Sequence, residues 1–521
     1  MKQHTAKDEA VAELERRRAL ARGQGGPEKV AAQHAKGRLT ARERVALLVE
    51  PGSFVEIGML AHSDREEVGE AAPADAAITG VGLVDGRKVA VVAVDATVMA
   101  GTTGWVGSRK QGLLASLAVK RGYPLVCLGD ANGGRIPDLL GSRFAGAIGS
   151  HEGEDFMGYR VQVDRVPRVT AALGNAYGDP SLWAAASDFV VLAEGCTVGL
   201  CGPSLVQASV GEKTTHEELG GVVTAAKTSG LVSLLAPDEP ASIEAIKRFL
   251  SYLPSNSSLE PPRAAPQPPR TAGEALCDIV PDQINRAYDV HKVIDAVVDE
   301  GSFFELHALW GRSLVVGLAR VEGRPVGILA NQPMYQAGVL EATSLAKARK
   351  HVRLCKDFGL PLVFLEDLPG ILIGTAAERS GVASRLMELF EALADVQVPR
   401  VTVILRKAFG FGLFVFGGPT MGSDYVCAWP NAQIGFMAAE NAVRVLYRRR
   451  IAEAAEREGP EAAEHLARVL TTDIERDNAP WRAAALGYIH NVIRPEETRQ
   501  AVIDGLFLAS GYRDPRRQRR G

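Results

Sequence analysis

Cysteine is scarce in this sequence, with six residues in a chain of 521. No two of them form a C-x-x-C pair, and they are spread thinly along the chain: Cys127, Cys196, Cys201, Cys277, Cys355 and Cys427. Zinc sites and small disulfide-rich domains require closely paired cysteines. We therefore expect buried, reduced thiols rather than a set of metal ligands or a disulfide framework.

Long apolar runs and an excess of charge of one sign are also absent. VAVVAVDATVMAG is interrupted by Asp95, and no apolar run reaches the roughly 18 residues of a membrane-spanning helix. The N-terminus, MKQHTAKDEAVAELERRRALARG, has no apolar core typical of a secretory signal. The formal net charge is −3, which gives no general reason to expect nucleic-acid binding. We expect a cytoplasmic protein that binds neither membrane nor nucleic acid.

The composition is typical of a globular protein, with 46% hydrophobic and 23% charged residues. Domains usually contain about 100–200 residues, so this length predicts two or three of them. The segment SYLPSNSSLEPPRAAPQPPR concentrates proline and serine between two hydrophobic halves, and proline favours an extended linker. The sequence predicts a first domain at residues 1–253, a linker at 254–272 and a second domain at 273–521.

A repeat relates the two halves. The five residues VPRVT begin at Val166 and again at Val398, 232 residues apart. Other similarities follow in the same order at offsets of 237 and 236: GYPLVCLGD matches GLPLVFLED, and SDFVV matches SDYVC. A chance match would not keep this order and spacing, so we infer an internal duplication.

Each half also repeats one order of elements. Apolar strands come first, at Val89–Val94 and Val326–Leu329, and a long helical stretch follows. A short buried strand then ends in a turn rich in glycine or proline, and a second helix leads to the VPRVT strand. Alternating strands and helices predict an α/β fold with a mostly parallel sheet. In such sheets ligands bind where strands end and helices begin.

Several longer segments carry a family resemblance: HAKGRLTARERVALLVEPGSFVEIG, GDANGGRI, GEKTTHEELGG, LCKDFGLPLVFLEDLPG, VPRVTVILRKAFG and AWPNAQIGFMAAENAVRVLYRR. They resemble the carboxyltransferase (β) subunits of biotin-dependent acyl-CoA carboxylases, the propionyl-CoA carboxylase β-like family. The resemblance implies two tandem crotonase-like (ClpP/crotonase) domains related by duplication. The first domain would hold an acyl-CoA and the second would hold carboxybiotin, in a homo-oligomer that is classically a hexamer.

Carboxyl transfer of this kind places negative charge on two oxygens, that of a thioester enolate and that of the biotin ureido group. Backbone N–H groups at the start of a helix stabilise such charge because they are fixed and the helix dipole lies behind them. Glycine lets the backbone approach the ligand closely. By the resemblance, the donors are Gly178 and Asp179 in the first half, and Phe411 and Gly412 in the second.

The first of these pairs departs from the family pattern. Asp179 stands where the family has a second glycine, and the next residue, Pro180, has no N–H. A carboxylate near a forming enolate repels it unless the carboxylate is turned away or protonated, and the loss of one donor costs about 3–4 kcal/mol of transition-state stabilisation. The alternative is that Asp179 caps the following helix with Pro180 at its first position. The two interpretations are compatible.

Neighbouring turns supply the other candidates for substrate or CoA binding. By the resemblance, Gly133, Gly134 and Arg135 face the first pair of donors, and Gly370 and Ile371 face the second. Arg135 either binds a CoA phosphate or forms a structural ion pair, which is the commoner role of a lone arginine.

Phe414 occupies the position that senses the substrate in this family. A bulky ring in the acyl pocket favours a short or unusual acyl chain, and the alternative is a core phenylalanine that points elsewhere. After THEELGG, relatives usually carry a histidine where this chain has Ala225. That difference weakens any assignment of the substrate by analogy.

His216 and Glu217 suggest acid–base catalysis, but the family reaction needs no protein base because biotin itself takes the proton. We interpret both as structural. Attachment of biotin requires a Met-Lys-Met-like site, and this sequence has neither such a site nor a Gly-rich P-loop. The resemblance thus implies that a partner α subunit, with biotin carboxylase and carrier domains, carries the biotin, and that a CoA thioester is the substrate.

Three functions remain open from the sequence. The first is the carboxyltransferase component of an acyl-CoA carboxylase that acts on a short acyl-CoA. The second is a lyase on the same scaffold that decarboxylates an acyl-CoA, and the third is a non-catalytic paralogue, which the Asp179-Pro180 pair suggests. A neighbouring gene for biotin carboxylase and carrier domains would favour the first, and sodium-pump subunits nearby would favour the second.

Overall fold

A computed structural model describes residues 6–142, 165–418 and 421–511. The chain divides into two compact units, Met1–Glu260 and Pro261–Gly521. Residues 254–272 contain neither helix nor strand, and the division between the units lies among them. Each unit has its own sheet.

The first unit contains both helices and strands. Its described helices are α1 (Ala6–Arg22), α2 (Pro27–His34), α3 (Ala41–Leu48), α4 (Trp105–Arg121), α5 (Ile136–Leu139), α6 (Asp179–Ala186), α7 (Pro203–Val210), α8 (His216–Gly220) and α9 (Glu239–Tyr252). Its described strands are β1 (Val55–Ile57), β2 (Ala77–Val84), β3 (Arg87–Val94), β4 (Leu125–Asn132), β5 (Arg168–Tyr177), β6 (Phe189–Ala193), β7 (Thr197–Gly199) and β8 (Leu234–Ala236).

Within the described residues, the strands of the first unit form one eight-stranded sheet. Their order is β1-β2-β3-β4-β5-β6-β8, and β7 pairs with β5. The pairs among β1, β2 and β3 are antiparallel, and every other pair is parallel. The run Ala90–Val94 in β3 is at most 1% exposed, as expected for a strand covered on both faces.

The second unit has the same kinds of elements. Its described helices are α10 (Leu276–Ile279), α11 (His291–Val297), α12 (Ala342–Phe358), α13 (Thr375–Arg379), α14 (Val382–Ala394), α15 (Gly412–Val415), α16 (Ala439–Leu446), α17 (Arg448–Glu458), α18 (Pro460–Asn478), α19 (Pro480–Ala485) and α20 (Thr498–Leu508). Its described strands are β9 (Phe304–Leu306), β10 (Leu314–Val321), β11 (Arg324–Asn331), β12 (Leu362–Leu368), β13 (Arg400–Phe409), β14 (Tyr425–Ala428), β15 (Gln433–Gly435) and β16 (Asn491–Val492). Across the described parts of both units, no helix is long and apolar enough to cross a membrane.

The second sheet repeats the order of the first. In the described residues it runs β9-β10-β11-β12-β13-β14-β16, and β15 pairs with β13. The pairs among β9, β10 and β11 are antiparallel and the others are parallel. The two VPRVT segments lead into β5 and β13, which have ten residues each. The predicted α/β class is confirmed, and both units share one topology.

The long helices and the turns before them match as well. Helices α4 and α12 have 17 residues each and end at Gly122 and Gly359, whose φ values are 69° and 72°. Glycine adopts this conformation at little cost and closes a helix there. Left-handed turns precede the helices at Met99–Gly101 and Gln336–Gly338, where the non-glycine residues have φ between 47° and 57°. Because such φ values are uncommon for residues with a Cβ, their recurrence supports a duplication.

Helices α11 and α20 pack on one face of the second sheet. Val293, Ile294 and Val502 from these helices belong to one cluster with Val363 and Val401 from β12 and β13, and all five are fully buried. Burial of each such side chain contributes about 1.5–3 kcal/mol. This packing holds the two strands whose ends carry the candidate site.

Candidate active site

The first group of candidate residues lies where β4 and β5 end. These parallel neighbours pair Asn132 with Tyr177 at their ends, so the turns that follow lie side by side. Gly133 and Gly178 have left-handed φ values of 102° and 70°. A Cβ on Gly178 would lie 3.1 Å from Gly133 Cα and 3.3 Å from Gly134 N. Only glycine therefore lets the two turns approach this closely.

The turns contain N–H groups that are free to bind a ligand. Thr103 N–H donates to Gly133 O at 3.0 Å, and Thr103 O accepts from Arg135 N–H at 2.8 Å. Gly134 lies between these two bonds and pairs with Thr103 as an isolated β-bridge. Within the described ranges, neither Gly134 N–H nor Asp179 N–H has a hydrogen-bond acceptor. These two amides are donors that the first unit can offer to a ligand.

Gly178 does not offer such a group. Its N–H donates to the carbonyl oxygen of Leu200 at 3.2 Å, because the end of β7 lies beside the end of β5. The amide that the sequence analysis predicted as a donor to a substrate oxygen is thus bonded to Leu200 in this structure. Gly178 is instead the N-cap of α6, which begins at Asp179 with Pro180 second. The alternative in which Asp179 is the cap is corrected too, because the positive φ of the cap position favours glycine.

The carboxyl of Asp179 turns toward α4. Its Oδ2 accepts a hydrogen bond from Ser108 Oγ at 2.7 Å, and the side chain of Thr103 also lies beside it. Burial raises the pKa of this carboxyl above its ordinary value, and the two hydroxyl groups partly offset that rise. No basic side chain in the described part of the chain forms an ion pair with it. Asp179 therefore takes up a proton more readily than an exposed aspartate.

Arg135 lies beneath the first turn and is 4% exposed. Its Nη2 lies 2.7 Å from Asp75 Oδ1, and its Nη1 lies 2.9 Å from Asp138 Oδ2. Nη2 also donates to Thr102 O at 3.0 Å. These contacts agree with the prediction that Arg135 forms a structural ion pair. They occupy the two terminal nitrogens that would otherwise bind a CoA phosphate. The buried charges brace the turn that carries Gly134.

The second unit repeats this geometry at the end of β12. Gly370 has a φ of 134°. Leu340 N–H donates to Gly370 O at 3.1 Å, and Leu340 O accepts from Leu372 N–H at 2.8 Å. Ile371 lies between these bonds and pairs with Leu340 as an isolated β-bridge, as Gly134 does with its partner. The N–H of Ile371 has no acceptor among the residues that the structure describes.

The end of β13 provides two further free amides. Gly410 has a φ of 64°, and its N–H donates to Gly435 O at 3.0 Å. The N–H groups of the next two residues, Phe411 and Gly412, have no acceptor in the described ranges. A Cβ on Gly412 would lie 2.3 Å from Leu368 Cδ2, so glycine is also favoured there by packing. The predicted donors of the second unit are therefore both available.

The turns of the two units thus have the same backbone positions but carry different residues at them. The three residues after each ten-residue strand correspond in order: Gly178 to Gly410, Asp179 to Phe411, and Pro180 to Gly412. The predicted donor pairs were therefore offset by one residue relative to each other. The spacing of the two VPRVT copies already gives this correspondence, since Gly178 and Gly410 are 232 residues apart, as Val166 and Val398 are.

Two aromatic rings flank the free amides of the second unit. Phe411 is 67% exposed and Phe414 is 36% exposed. Their ring centroids are 6.1 Å apart at an interplanar angle of 61°, an edge-to-face contact. The exposure of Phe414 corrects the alternative in which it is a core residue. Both rings are available to contact a ligand bound at the amides.

Sequence reasoning missed a buried ion pair beneath the second unit's turns. Arg406 Nε and Nη2 donate to Asp367 Oδ2 at 3.0 and 2.8 Å, and both side chains are at most 2% exposed. Arg406 Nη1 donates to three carbonyls of one loop, those of Pro281, Gln283 and Arg286. The pair joins β12 to β13 just before their free amides. The signal in the sequence was the charged pair in VILRKAFG, inside an otherwise apolar strand.

His216 and Glu217 lie beside the first site without forming an acid–base pair. His216 Nδ1 lies 2.8 Å from the hydroxyl of Tyr177, which is a fully buried residue. Glu217 Oε1 accepts from Val222 N–H at 3.1 Å. These contacts agree with the structural interpretation of both residues. The contact with Tyr177, the residue before Gly178, could not be read from the sequence.

Comparison with known proteins gives one consistent result. The family described as "Carboxyl transferase domain" matches residues 32–519. A propionyl-CoA carboxylase beta chain of Saccharopolyspora erythraea is 38% identical over 518 residues, which cover 97% of this chain and 93% of the relative. The biotin-dependent acetyl-/propionyl-coenzyme A carboxylase beta5 subunit of Mycobacterium tuberculosis is 38% identical over 513 residues, 96% of this chain and 92% of the relative.

Solved structures give the same result. The chain is similar to a transcarboxylase 12S hexamer with methylmalonyl-coenzyme A and methylmalonic acid bound. The identity is 32%, the TM-score is 0.89, and the match covers 99% of this chain and 98% of the other.

Proposed function

This chain belongs to the carboxyl transferase family and is a carboxyltransferase of the biotin-dependent acyl-CoA carboxylases, and from that premise we propose its reaction. It moves a carboxyl group from carboxybiotin to the α-carbon of a short acyl-CoA. The reaction passes through a thioester enolate that backbone amides stabilise.

The observation that carries this proposal is the repeated turn with free amides. The first unit offers the N–H groups of Gly134 and Asp179, and the second offers those of Ile371, Phe411 and Gly412. Each set lies at the ends of two adjacent parallel strands. Fixed donors of this kind are each worth about 3–4 kcal/mol when charge develops on an oxygen. A reaction with two developing oxyanions needs two such sets, and this chain has two.

We assign the acyl-CoA to the first unit and carboxybiotin to the second, in two crotonase-like domains with the boundaries 1–253, 254–272 and 273–521. The thioester oxygen accepts from Gly134 and Asp179, while Gly133 and Gly178 shape the turns. Arg135 positions the first turn through its buried ion pairs.

The biotin-side assignment fits the residues present. Bound here, carboxybiotin would supply the carboxyl group and a basic site for the proton that leaves the acyl chain. The N–H groups of Phe411 and Gly412 would hold an oxygen of the ureido ring, and Gly370 and Ile371 would form the opposite side of that site. The exposed faces of Phe411 and Phe414 offer an apolar surface to the ring. From the family resemblance we also assign Phe414 the role of the substrate-sensing residue, which would favour a short acyl group.

The partner is an α subunit with biotin carboxylase and biotin carrier domains, because this chain has no biotin-attachment motif and no P-loop. We further propose a homo-oligomer, since the similar transcarboxylase 12S structure is a hexamer. The CoA thioester is the substrate that binds directly to this chain.

The test is an incorporation assay. Purified protein is incubated with a biotinylated partner, ATP, labelled bicarbonate and a panel of acyl-CoAs, and label is followed into acid-stable carboxyacyl-CoA. We expect label in the product of a short acyl-CoA. Absence of label with every acyl-CoA, although the partner itself becomes carboxylated, would contradict the proposed function.

A further inference from the structure

Tyr177 is fully buried at the end of β5, directly before the turn that carries Gly178. Resting on the proposed function, we propose that Tyr177 is a positioning residue for carboxyl transfer. Its hydroxyl completes a chain of side-chain hydrogen bonds that fixes the spacing of two donor amides, the N–H groups of Gly134 and Asp179, around one thioester oxygen.

The chain begins at His216 and passes through Tyr177. His216 Nδ1 lies 2.8 Å from Tyr177 Oη, and Thr197 Oγ1 lies 3.2 Å from the same oxygen. Thr197 Oγ1 donates to Asn175 Oδ1 at 3.1 Å. Asn175 Nδ2 in turn donates to Asn132 Oδ1 at 2.8 Å, so five side chains are linked in series.

The chemistry of these groups gives the chain one direction. Asn175 donates through its Nδ2, so its Oδ1 accepts the single hydroxyl proton of Thr197. Thr197 then accepts from the hydroxyl of Tyr177, which itself accepts from Nδ1–H of His216. The phenol both accepts and donates, so loss of this one hydroxyl splits the chain.

The chain joins the backbone segments that place the donor amides. Asn132 and Tyr177 are the last residues of β4 and β5, directly before the two turns. Thr197 is the first residue of β7, and the backbone that follows β7 accepts the N–H of Gly178. Asn132 Nδ2 also donates to the carbonyl of Ala100 at 3.4 Å, in the left-handed turn before α4. The side chains therefore set how these segments lie relative to one another.

The ring of Tyr177 is held on two sides. A Cβ on Gly199 would lie 3.3 Å from its Cε1, and a Cβ on Gly202 would lie 3.6 Å from its Cδ2. The imidazole of His216 lies beside it, with ring centroids 5.5 Å apart. Tyr177→Phe therefore keeps the packing of the ring and removes the hydroxyl alone.

Among the described residues, the second unit has no equivalent chain. The residues at the positions of Asn175, Tyr177 and Thr197 are, in that order, Lys407, Phe409 and Gln433. Phe409 has no hydroxyl, and Lys407 Nζ donates to the carbonyl of Ile284 at 3.0 Å. Tyr177 therefore acts on the first unit alone, to which we assign the acyl-CoA.

The experiment compares Tyr177→Phe with a matched control, Tyr425→Phe. Tyr425 is also buried, its hydroxyl accepts from Asn491 Nδ2 at 2.9 Å, and its ring lies 5.6 Å from that of His490. It begins β14 beside the start of β13, at the opposite end of that strand from the second site. Each control contact resembles one of Tyr177, so the two variants lose comparable groups.

Both full-length variants are assayed for labelled carboxyl transfer with the biotinylated partner, ATP, and acetyl-CoA or propionyl-CoA as acceptor. We expect Tyr177→Phe to lower kcat about 10- to 100-fold, because small errors in the placement of catalytic groups have effects of this size. The KM for the acyl-CoA should stay nearly unchanged, since the donor amides act mainly on the transition state. Tyr425→Phe should keep the wild-type kcat, and an equal kcat for both variants would overturn the inference.

Substitutions at Thr197 test the chain itself. Thr197→Val removes the hydroxyl and should lower kcat as Tyr177→Phe does, whereas Thr197→Ser keeps the hydroxyl and should retain the wild-type kcat. One break already interrupts the chain, so the double variant Tyr177→Phe, Thr197→Val should be no slower than either single variant. Falls in kcat that multiply in the double variant would overturn a role through one chain.

Amide hydrogen exchange separates failure of this inference from failure of the proposed function. The N–H groups of Thr103, Arg135 and Gly178 are hydrogen-bonded around the donor amides, and their exchange should be faster in Tyr177→Phe but not in Tyr425→Phe. A wild type that incorporates no label contradicts carboxyl transfer, while this faster exchange would still support the positioning of the turns. A wild type that incorporates label, with an unchanged kcat in Tyr177→Phe, overturns only the inference on Tyr177.

Discussion

Asp179 and Pro180 are the residues at which the first site differs most from the second. Their counterparts are Phe411 and Gly412, which both keep a free N–H, whereas Pro180 has none. The first unit regains a second donor from Gly134 in the neighbouring turn. The carboxyl of Asp179 does not oppose an enolate as an exposed carboxylate would, because it turns to Ser108 and its pKa is raised by burial.

A stability measurement tests the state of this carboxyl. A group whose pKa is raised in the folded protein favours folding below its unfolded pKa, and that contribution is lost as the pH rises through the folded pKa. Asp179→Asn removes this dependence. We therefore expect the free energy of unfolding of the variant, taken relative to that of the wild type, to be about 1 kcal/mol higher at pH 7 than at pH 4.

Urea unfolding of both proteins at the two pH values measures this difference. A difference in unfolding free energy between variant and wild type that is the same at pH 4 and pH 7 would contradict the raised pKa.

At the scale of elements, the ends of β12 and β13 are held by charge rather than by apolar packing alone. Arg406 on β13 binds Asp367 on β12, and Lys407 Nζ lies 3.2 Å from the other carboxylate oxygen of Asp367. In the first unit the aspartate at the equivalent position pairs with a different residue. Its corresponding aspartate, Asp130, lies 3.0 Å from Arg44, which comes from α3.

Removal of one member of this buried pair tests its importance. Arg406→Met leaves Asp367 without its main partner, and we expect a loss of about 3–5 kcal/mol in the free energy of unfolding. The triple variant Arg406→Met, Asp367→Leu, Lys407→Met removes all three charges of the cluster, so it should lose less than Arg406→Met alone. Urea unfolding measures both losses, and a triple variant that is less stable than the single one would contradict this account.

Helix α11 is held at its start by a charged histidine. His291 Nδ1 lies 2.6 Å from Asp289 Oδ1, and Nε2 lies 2.9 Å from Glu305 Oε2 in β9. The hydrogen bond to Glu305, followed by that to Asp289, raises the pKa of His291 to about 9. The histidine is therefore protonated at neutral pH and ties the helix to the edge strand.

This contact predicts a pH-dependent effect of substitution. The stabilisation is fully present below the ordinary histidine pKa of about 6.5 and is lost as the pH rises through about 9. Because the side chains are partly exposed and solvent screens them, we expect His291→Gln to cost about 1 kcal/mol at pH 6 and nothing at pH 10. Unfolding at these two pH values is the measurement, and an equal cost at both would show that the charge does not contribute.

At the scale of the whole molecule, the sequence predicted the duplication and most of its consequences. The strands Val89–Val94 and Val326–Leu329 lie within β3 and β11, and both VPRVT segments lead into strands that end at candidate turns. These features depend on local apolar patterns and on glycines at fixed spacing, which a sequence displays directly.

The remaining features depend on contacts between distant segments. The bond that occupies the Gly178 N–H comes from Leu200, and the partner of Asp130 comes from α3. The direction of the Asp179 carboxyl is set by Ser108, 71 residues earlier. No local pattern records such contacts, so the sequence predicted the turns correctly but not which of their amides are free.

The comparison of the two units also supplies a control for the second site. Pro180 and Gly412 both stand three residues after the end of the ten-residue strand of their unit, so the first unit carries a proline at the equivalent position. Gly412→Pro removes one free N–H and adds a Cβ beside Leu368. Gly412→Ala adds the same Cβ but keeps the N–H. The difference between the two variants isolates the amide.

The most direct test of the central claim is the rate of labelled carboxyl transfer from the biotinylated partner to a short acyl-CoA by these two variants. Loss of one oxyanion donor costs about 3–4 kcal/mol, or roughly 100- to 1000-fold in rate. We expect Gly412→Pro to transfer label at least 100-fold more slowly than Gly412→Ala, with both proteins folded as judged by circular dichroism. Equal rates for the two folded variants would show that the Gly412 N–H does not stabilise the transition state and would contradict this account of the site.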